Sequence, residues 1–192
     1  MNKPLYLFVG KSASGKSTIA NILELQYGLS QLQSYTTRPK RHENETGHTF
    51  ITDEEFDNLK NIIAYTKYNG YQYCATKEQI DATSIYVIDV PGVKTLLDKY
   101  QSDRPIIILY FDTTVTTRID RMIDRGSSDM EIISRLRNDE KSDWLHELLK
   151  LSLQHRKEYK KNVDMYVIDA NHNKEDVLSQ IKFYMNLGDS NK

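Results

Sequence analysis

Gly10-Lys11-Ser12-Ala13-Ser14-Gly15-Lys16-Ser17 is the stretch that decides the fold of this chain. It matches the pattern G-x-x-x-x-G-K-[ST] at every fixed position. The apolar run Leu5–Val9 directly before it predicts a strand buried on both faces. Apolar residues at helical spacing over 17–27 predict a helix directly after it. A strand, a glycine-rich loop and a helix in this order predict a phosphate-binding P-loop.

The parts of this loop have separate chemical tasks. Glycines let the backbone wrap closely around phosphate oxygens, and successive N–H groups then point inward at the helix N-terminus. We therefore expect residues 10–17 to bind the phosphates of ATP. The ammonium of Lys16 can reach the β- and γ-phosphates, and the hydroxyl of Ser17 can hold Mg²⁺. The alternative is a chance glycine-rich turn, but the strand and helix around the loop favour the P-loop.

The rest of the chain alternates predicted strands and helices, which is typical of an α/β fold with a parallel sheet covered by helices on both faces. Buried strands are predicted at residues 84–90, 105–111 and 165–168, and a turn at Pro91-Gly92 is predicted after the first of them. Helices are predicted at residues 93–100, 115–125 and 173–187, with a long charged helical region from 128 to about 161. Capping boxes at Thr52 and Ser128 predict two further helix starts, the first helix ending at Leu59.

Residues 32–82 interrupt this alternation with turns, tyrosines and short strands. Two of those strands are predicted at residues 62–68 and 71–74, around a turn at Asn69-Gly70. We expect this segment to be an insertion at the carboxyl edge of the sheet, where ligands of such folds bind.

Composition narrows the class of protein. A chain of 192 residues is long enough for one domain with a proper core, and its net charge of -1 offers no basic field for a nucleic-acid polymer. The single cysteine, Cys74, excludes a disulfide within the chain and fits a reducing compartment. The first apolar run stops at Gly10, so we expect no signal peptide. We likewise expect no membrane span, and a cytoplasmic location.

A second group of polar residues lies in Ser34-Tyr35-Thr36-Thr37-Arg38-Pro39-Lys40-Arg41, where four hydroxyls and three cations crowd eight residues. Arg38 and Arg41 could clamp a second phosphate in bidentate fashion. The alternative is a solvated basic turn. The P-loop favours the clamp, because a kinase must hold an acceptor as well as a donor.

Arginines form a third group, which begins in the predicted helix at 115–125 and continues into the charged helical region after it. Arg118, Arg121 and Arg125 are spaced i, i+3 and i+7, so we expect them on one helix face. Arg135 and Arg137 follow. Such arginines could neutralise the charge of a phosphoryl group during transfer. The alternative is a solvated face that pairs with neighbouring carboxylates.

These motifs occur in the order in which guanylate kinases carry them, and the chain resembles that family over residues 4 to about 135 and over the last predicted strand and helix. The residues that carry the resemblance are the P-loop, Ser34 to Pro39, Gly47 followed by Phe50, Asn69-Gly70-Tyr71 with Tyr73, Asp89 with Gly92, and the stretch from Arg121 to Gly126. The resemblance implies a single guanylate-kinase-like domain over residues 1–192 with a P-loop NTPase fold. Its core would comprise residues of about 1–31, 83–125 and 162–192, its part that binds a nucleoside monophosphate (NMP) about 32–82, and its helical lid about 126–161.

The resemblance also implies roles for single residues. Arg38, Arg41 and Tyr73 would bind the phosphate of the acceptor, Ser34 would touch guanine, and Asp89 would lie beside the acceptor nucleotide. The lid residues that would reach the transferring phosphate are Arg121, Arg125 and Arg135, acting with Lys16.

Three positions depart from the family pattern. A glutamate that meets the guanine N–H groups falls on Ala64, a hydroxyl residue that helps read the base falls on Ala75, and a phosphate-binding tyrosine falls on His48. Judged by the resemblance, the C-terminal part of the lid, from Arg135 to Asp164, is also about ten residues too long. Phosphate handling is therefore expected to be intact and base reading altered.

The sequence predicts an ATP- and Mg²⁺-dependent NMP kinase that makes GDP from GMP or dGDP from dGMP. A related kinase with another nucleotide, or a phosphorylated sugar such as ribose bisphosphate, stays open because of Ala64 and Ala75. A binding module without catalysis also stays open, although Lys16 and Ser17 argue against it. ATP and an NMP are the expected partners, with no nucleic-acid polymer and no membrane.

Overall fold

A computed structural model describes residues 3–41 and 43–188 of the chain. The predictions for Met1, Asn2, His42 and residues 189–192, which include the outer ends of the predicted core, lie outside the described residues. Within them the chain forms eight strands, listed by their bounds: β1 Leu5–Val9, β2 Ser34–Thr36, β3 His48–Phe50, β4 Ile62–Tyr68, β5 Tyr71–Thr76, β6 Ile85–Val87, β7 Ile106–Asp112 and β8 Val163–Asp169. The same residues form eight helices: α1 Lys16–Tyr27, α2 Asp53–Asp57, α3 Lys77–Ala82, α4 Val90–Lys99, α5 Val115–Asp124, α6 Asp129–Asp139, α7 Trp144–Lys157 and α8 Lys174–Met185.

The central sheet has the strand order β6-β1-β7-β8, and every pair in it is parallel. Leu7 of β1 lies between Tyr86 of β6 and Ile108 of β7. Parallel strands need helical crossovers, and the helices cover both faces of this sheet. The predicted α/β fold with a parallel sheet and a P-loop is therefore confirmed.

Two apolar cores lie on the two faces of this sheet. One contains Leu5, Leu7 and Ile108 of the sheet, and Leu96 and Leu97 of α4 pack against it. The other is formed by further strand residues with α1 and α8: Phe8, Leu109, Phe111, Ile19, Leu23, Val177 and Ile181. This arrangement fixes the carboxyl ends of β1 and β6 between the two layers.

The predicted insertion contains a second sheet, with strand order β3-β2-β5-β4. The turn at Asn69-Gly70 joins β4 and β5, which are antiparallel as predicted. Asn69 and Gly70 both have positive φ, which suits this pair of turn residues. The short strands β2 and β3 and the helix α3 were not foreseen individually, because three to six residues carry too little periodicity.

Helix boundaries show where local sequence reasoning was right and where it was wrong. The capping boxes at Thr52 and Ser128 are confirmed, although the helix after Thr52 ends at Asp57 rather than Leu59. The predicted turn at Pro91-Gly92 was wrong, because both residues lie in the first turn of α4. The Asp89 side chain caps this helix by accepting a hydrogen bond from the Gly92 N–H. Proline is well suited to a first helical turn, so Pro91 starts this helix instead of breaking it.

The charged region from 128 to 161 is not one helix. It divides into α6 and α7, and residues 140–143 form a turn between them. In the part of the chain that the structure describes, no helix combines the length and apolar character that crossing a bilayer requires.

Candidate active site

The P-loop runs from the end of β1 to the start of α1. At Gly10 a Cβ atom would stand 2.8 Å from the Phe111 carbonyl oxygen and 2.9 Å from Ser14 Oγ, so this position requires glycine. Gly15 caps α1 with a φ of 95°, a left-handed conformation that glycine adopts without strain. The loop therefore keeps its backbone close to the sheet and presents its N–H groups at a helix N-terminus.

Lys16 folds back over this loop. Its Nζ donates to the Gly10 carbonyl at 2.6 Å, the Lys11 carbonyl at 2.9 Å and Ser14 Oγ at 2.9 Å. Burial lowers the pKa of Lys16 to about 8, against the attraction of the Asp139 carboxylate. The Lys16 ammonium is thus hydrogen-bonded to neutral oxygens, and a phosphate oxygen would offer it a negatively charged acceptor.

One cavity lies on the helix side of the loop, and we call it the P-loop cavity. It is lined by residues 13–19, Arg121, Asp124, Arg125, His172, Lys174 and Val177. Arg121 closes one side of it, since its Nη2 donates to the Ala170 carbonyl at 2.8 Å and the His172 carbonyl at 3.2 Å. Its Nη1 also contacts the Ala13 carbonyl at 3.4 Å. The exposed Ser17 hydroxyl opens into the same space.

A second cavity lies at the carboxyl edge of the sheet, and we call it the sheet-edge cavity. It shares Lys16 with the P-loop cavity. Its aromatic lining comprises Tyr65, Tyr68, Tyr73, Tyr86 and Trp144. Its polar lining includes Asp89, which accepts from Thr66 Oγ1 and from the Gly92 N–H, both at 2.9 Å. Burial raises the pKa of Asp89, and those two hydrogen bonds oppose the rise.

Ser34 and His48 form a hydrogen-bonded pair in the wall of the sheet-edge cavity. Ser34 Oγ lies 2.8 Å from His48 Nδ1. Burial, and then the positive charge of Arg38, lower the pKa of His48 to about 4. The imidazole is therefore neutral near pH 7, and the pair keeps one donor hydrogen for a ligand whichever ring nitrogen carries the proton.

Arginines line a third space, which we call the arginine cleft. Arg38, Arg41 and Tyr73 meet Arg135 of α6 there. Glu45 orients Arg38, accepting from Nη2 at 2.8 Å and from Nη1 at 3.1 Å, and also accepts from the Arg41 N–H at 2.6 Å. Burial lowers the pKa of Arg41, and the charges of Arg38 and Arg135 lower it further. Three guanidinium groups against two carboxylates, Glu45 and Glu131, leave a net positive charge that suits a phosphate.

The arginines expected on one helix face lie in different surroundings. Arg118 is fully buried and contacts Asp139 and Glu140. Arg121 lines the P-loop cavity, while Arg125 follows the end of α5 and reaches the same cavity. Arg125 also feels the charges of Arg135 and Arg41, which lower its pKa after the larger effect of burial. The structure thus brings Arg125, Arg135 and Arg41 together electrostatically and removes Arg118 from the solvent.

Ala64 and Ala75 stand directly opposite each other on β4 and β5, and both are fully buried. Neither alanine is among the described residues that line the sheet-edge cavity. Thr66 lies two residues after Ala64, so the two side chains share one face of the strand, and Thr66 does line the cavity. Both alanines belong to the apolar core that also contains Tyr86.

Three carboxylates near the site were not foreseen. Glu45 lies four residues after Arg41, a spacing that could have pointed to it. Asp139 and Glu140 contact the P-loop residues Ser12 and Lys11 from 127 and 129 residues away. Nothing in the local sequence indicates such a contact.

The parallel sheet, the P-loop between β1 and α1 and the cavities at the carboxyl edge define a P-loop α/β protein. Solved structures share this fold, and two of them are kinases. A guanylate kinase from Anaplasma phagocytophilum superposes with a TM-score of 0.54 at 15% identity, covering 97% of this chain and 86% of that one. An unliganded sugar kinase from Janibacter sp. HTCC2649 gives 0.50 at 13% identity, covering 97% and 96%.

In sequence, the chain is similar to two curated guanylate kinases. The protein from Fusobacterium nucleatum subsp. nucleatum is 27% identical over 147 residues, which is 70% of this chain and 78% of that protein. The protein from Bartonella henselae is 26% identical over 146 residues, and the chain spans 65% of its length. No family model matches the chain. The predicted resemblance to guanylate kinases is confirmed, and these homologues support a kinase.

Proposed function

We propose that this protein is an NMP kinase that transfers the γ-phosphate of ATP to GMP or dGMP. The observation that carries the proposal is the position of Lys16, which lines both the P-loop cavity and the sheet-edge cavity. A lysine shared by two cavities can contact a donor phosphate and the acceptor phosphate that attacks it. Phosphoryl transfer needs little beyond such positioning and charge neutralisation.

In this proposal the P-loop cavity takes ATP, with residues 10–17 around its phosphates. Ser17 offers a hydroxyl oxygen at the mouth of the loop, which is a ligand that Mg²⁺ accepts beside phosphate oxygens. Bound Mg²⁺ would neutralise charge on the β- and γ-phosphates. Arg121 and Arg125 line the same cavity and supply further positive charge.

The acceptor would lie across the other two spaces. Its phosphate fits where the arginine cleft meets the sheet-edge cavity at Tyr73, which lines both, so that the three arginines of the cleft and Lys16 can contact it together. Its base fits the aromatic sheet-edge cavity, and the Asp89 carboxylate there can accept from the N–H groups of guanine. No general base is required, since a phosphate monoester is itself a nucleophile.

A kinase for a different phosphorylated acceptor is the second candidate. It is favoured by the burial of Ala64 and Ala75, which leaves the base without the carboxylate and hydroxyl that the family resemblance led us to expect. Losing one charge-assisted hydrogen bond lowers affinity by about 1.5–3 kcal/mol. Selectivity for guanine would then depend on Asp89 and on the Ser34–His48 pair.

An acceptor screen tests the proposal and separates the two candidates. ADP release is measured with ATP and Mg²⁺ against GMP, dGMP, AMP, dTMP, CMP and ribose bisphosphate. We expect GMP or dGMP to give the highest kcat/KM and Lys16→Ala to abolish transfer without unfolding the protein, because the lysine neutralises charge during transfer. A preference for another acceptor would favour the second candidate. Transfer to none of them, or full activity of Lys16→Ala, would contradict the assignment.

A further inference from the structure

The C-terminal end of α6 contacts both sides of the candidate site. Asn138 Nδ2 donates to Asn69 Oδ1 at 2.7 Å, in the turn between β4 and β5. The next two residues contact the P-loop, where Glu140 Oε2 accepts from Lys11 Nζ at 2.7 Å and Asp139 binds Ser12. We call Asn138, Asp139 and Glu140 the lid clasp, because these consecutive residues connect the lid to the hairpin and to the P-loop.

Asp139 makes the most buried of these contacts, with 2% of its surface exposed. Its Oδ2 accepts from the Ser12 N–H at 2.7 Å, and its Oδ1 accepts from Ser12 Oγ at 3.2 Å. Hydrogen bonds to an ionised carboxylate are about twice as strong as bonds between neutral groups. A buried carboxylate without partners would be strongly unfavourable, so the two bonds to Ser12 define where this end of α6 lies.

A buried arginine of α5 contacts two of the three residues of the lid clasp. Arg118 of α5 is fully buried, and its Nη1 lies 3.8 Å from Asp139 Oδ2. Its Nη2 donates to Glu140 Oε1 at 3.3 Å. Moving the carboxylates away would leave a buried cation without its counter-charge, which is strongly destabilising. Arg118 therefore stabilises the closed position of the lid clasp. The sequence had suggested instead that this arginine could neutralise the charge of a phosphoryl group.

We infer that Asp139 is a positioning residue for the proposed phosphoryl transfer: it fixes α6 on the P-loop at Ser12 and so keeps Arg135 over the arginine cleft. Arg135 precedes Asp139 by one helical turn on the same helix. A shift of α6 would move the Arg135 guanidinium relative to the acceptor phosphate, and such misplacement slows transfer strongly. The inference rests on the proposed function, because Asp139 itself is given no chemical step.

Trp144 reports the state of the clasp independently of turnover. It is the single tryptophan of the sequence, it begins α7 shortly after Asp139, and it lines the sheet-edge cavity together with Asp139. Its indole is half-buried there. If the clasp opens, acrylamide in solution will reach the indole more easily and quench its fluorescence more efficiently.

The test compares Asp139→Ala with Asp129→Asn, which removes an exposed carboxylate at the far end of the same helix. For Asp139→Ala we expect kcat to fall by about tenfold or more, the KM for ATP to change by less than about twofold, and quenching of Trp144 to increase without nucleotide. Asp129→Asn should match the wild type in all three. The inference is overturned if Asp139→Ala matches Asp129→Asn, or if it weakens only ATP binding.

A second variant covers the case in which Asp139→Ala does not fold because Arg118 is left unpaired. The double variant Arg118→Met/Asp139→Val replaces the buried pair by apolar side chains of comparable volume, an exchange that proteins often tolerate. It should show the same fall in kcat and rise in quenching, and wild-type values would overturn the inference. If the wild type phosphorylates no acceptor, the proposed function fails. The quenching comparison then still decides whether Asp139 holds the lid.

Discussion

Lys16 is a residue whose charge depends on what occupies the site. Burial lowers its pKa to about 8 in the free protein, so a substantial fraction loses its proton slightly above neutral pH. A triphosphate beside the ammonium favours the charged form and raises this pKa. If ATP occupies the P-loop cavity as proposed, the free protein releases this proton at a lower pH than the complex does, and binding of ATP is coupled to protonation of Lys16.

From this coupling we predict that ATP affinity falls as the pH rises above about 8. Below that pH Lys16 carries its proton in both the free protein and the complex, so its titration does not make the Kd for ATP depend on pH. Above it, Kd should rise by up to about tenfold per pH unit until the pKa of the complex is reached. Calorimetric titration of a non-hydrolysable ATP analogue between about pH 6 and about pH 10 measures the slope. Lys16→Met is the matched control, and an equal slope in that variant would contradict the prediction.

Arg38 and Arg41 differ in how firmly they are held. Arg38 is 8% exposed and forms an ion pair with Glu45, whereas the side chain of Arg41 is 55% exposed. Arg38→Ala and Arg41→Ala should each raise the acceptor KM strongly and leave ATP affinity nearly unchanged, with some loss of kcat from poorer alignment. Glu45→Gln should raise the acceptor KM less, because the amide keeps one acceptor oxygen for Arg38. Steady-state kinetics with each substrate varied provides the check, and an effect confined to ATP would exclude a separate acceptor site.

At the level of elements, the proposed function makes the face of β4 that carries Thr66 the surface where the base would be read. Ala64 and Thr66 share that face, and Tyr73 pairs with Thr66 across the ladder. Ala64→Glu should place a carboxylate towards the sheet-edge cavity, where guanine offers N–H donors. We predict tighter GMP binding, by up to about 3 kcal/mol, and weaker binding of acceptors without those donors. Values of kcat/KM for GMP, dGMP, AMP, dTMP and CMP on both proteins measure the difference.

Ala64→Glu should also change the thermal stability of the protein. In the absence of acceptor the new carboxylate is buried without a partner, so Ala64→Glu should unfold at a lower temperature than the wild type. GMP should restore more stability to this variant than to the wild type. Ala64→Gln is the control, since it adds similar bulk without charge. An identical kinetic shift for every acceptor would mean that position 64 does not face the base.

Single elements were predictable where a strong local rule acted on them. The strand and helix around the P-loop, the hairpin at Asn69-Gly70 and the helix start at Ser128 each follow from residues within a few positions. The prediction for Pro91 was wrong because proline suits both a turn and a first helical turn, and the Asp89 cap decided between them.

At the scale of the whole molecule, the P-loop cavity and the sheet-edge cavity meet at one lysine. A compound that joins adenosine and guanosine through a polyphosphate chain should occupy both at once. Because the second contact is then intramolecular, we expect binding about 100-fold tighter than that of ATP or GMP alone. Calorimetry with linkers of different phosphate number measures this, and a matched diadenosine compound serves as control. Equal affinity for the linked compound and for ATP alone would mean that the cavities are not used together.

The P-loop, the α/β class, the basic segment around Arg38 and the resemblance to guanylate kinases could all be predicted from the order of the residues. These features depend on residue types at short, fixed spacing, which local backbone chemistry constrains. The burial of Arg118, the pairing of Ala64 with Ala75 and the bond between Asp139 and Ser12 across 127 residues became visible in the folded structure alone. Those contacts depend on how α5, α6 and the β4–β5 hairpin pack around the sheet. Side-chain burial and charge pairing between segments distant in sequence follow from that packing, and no local pattern encodes them.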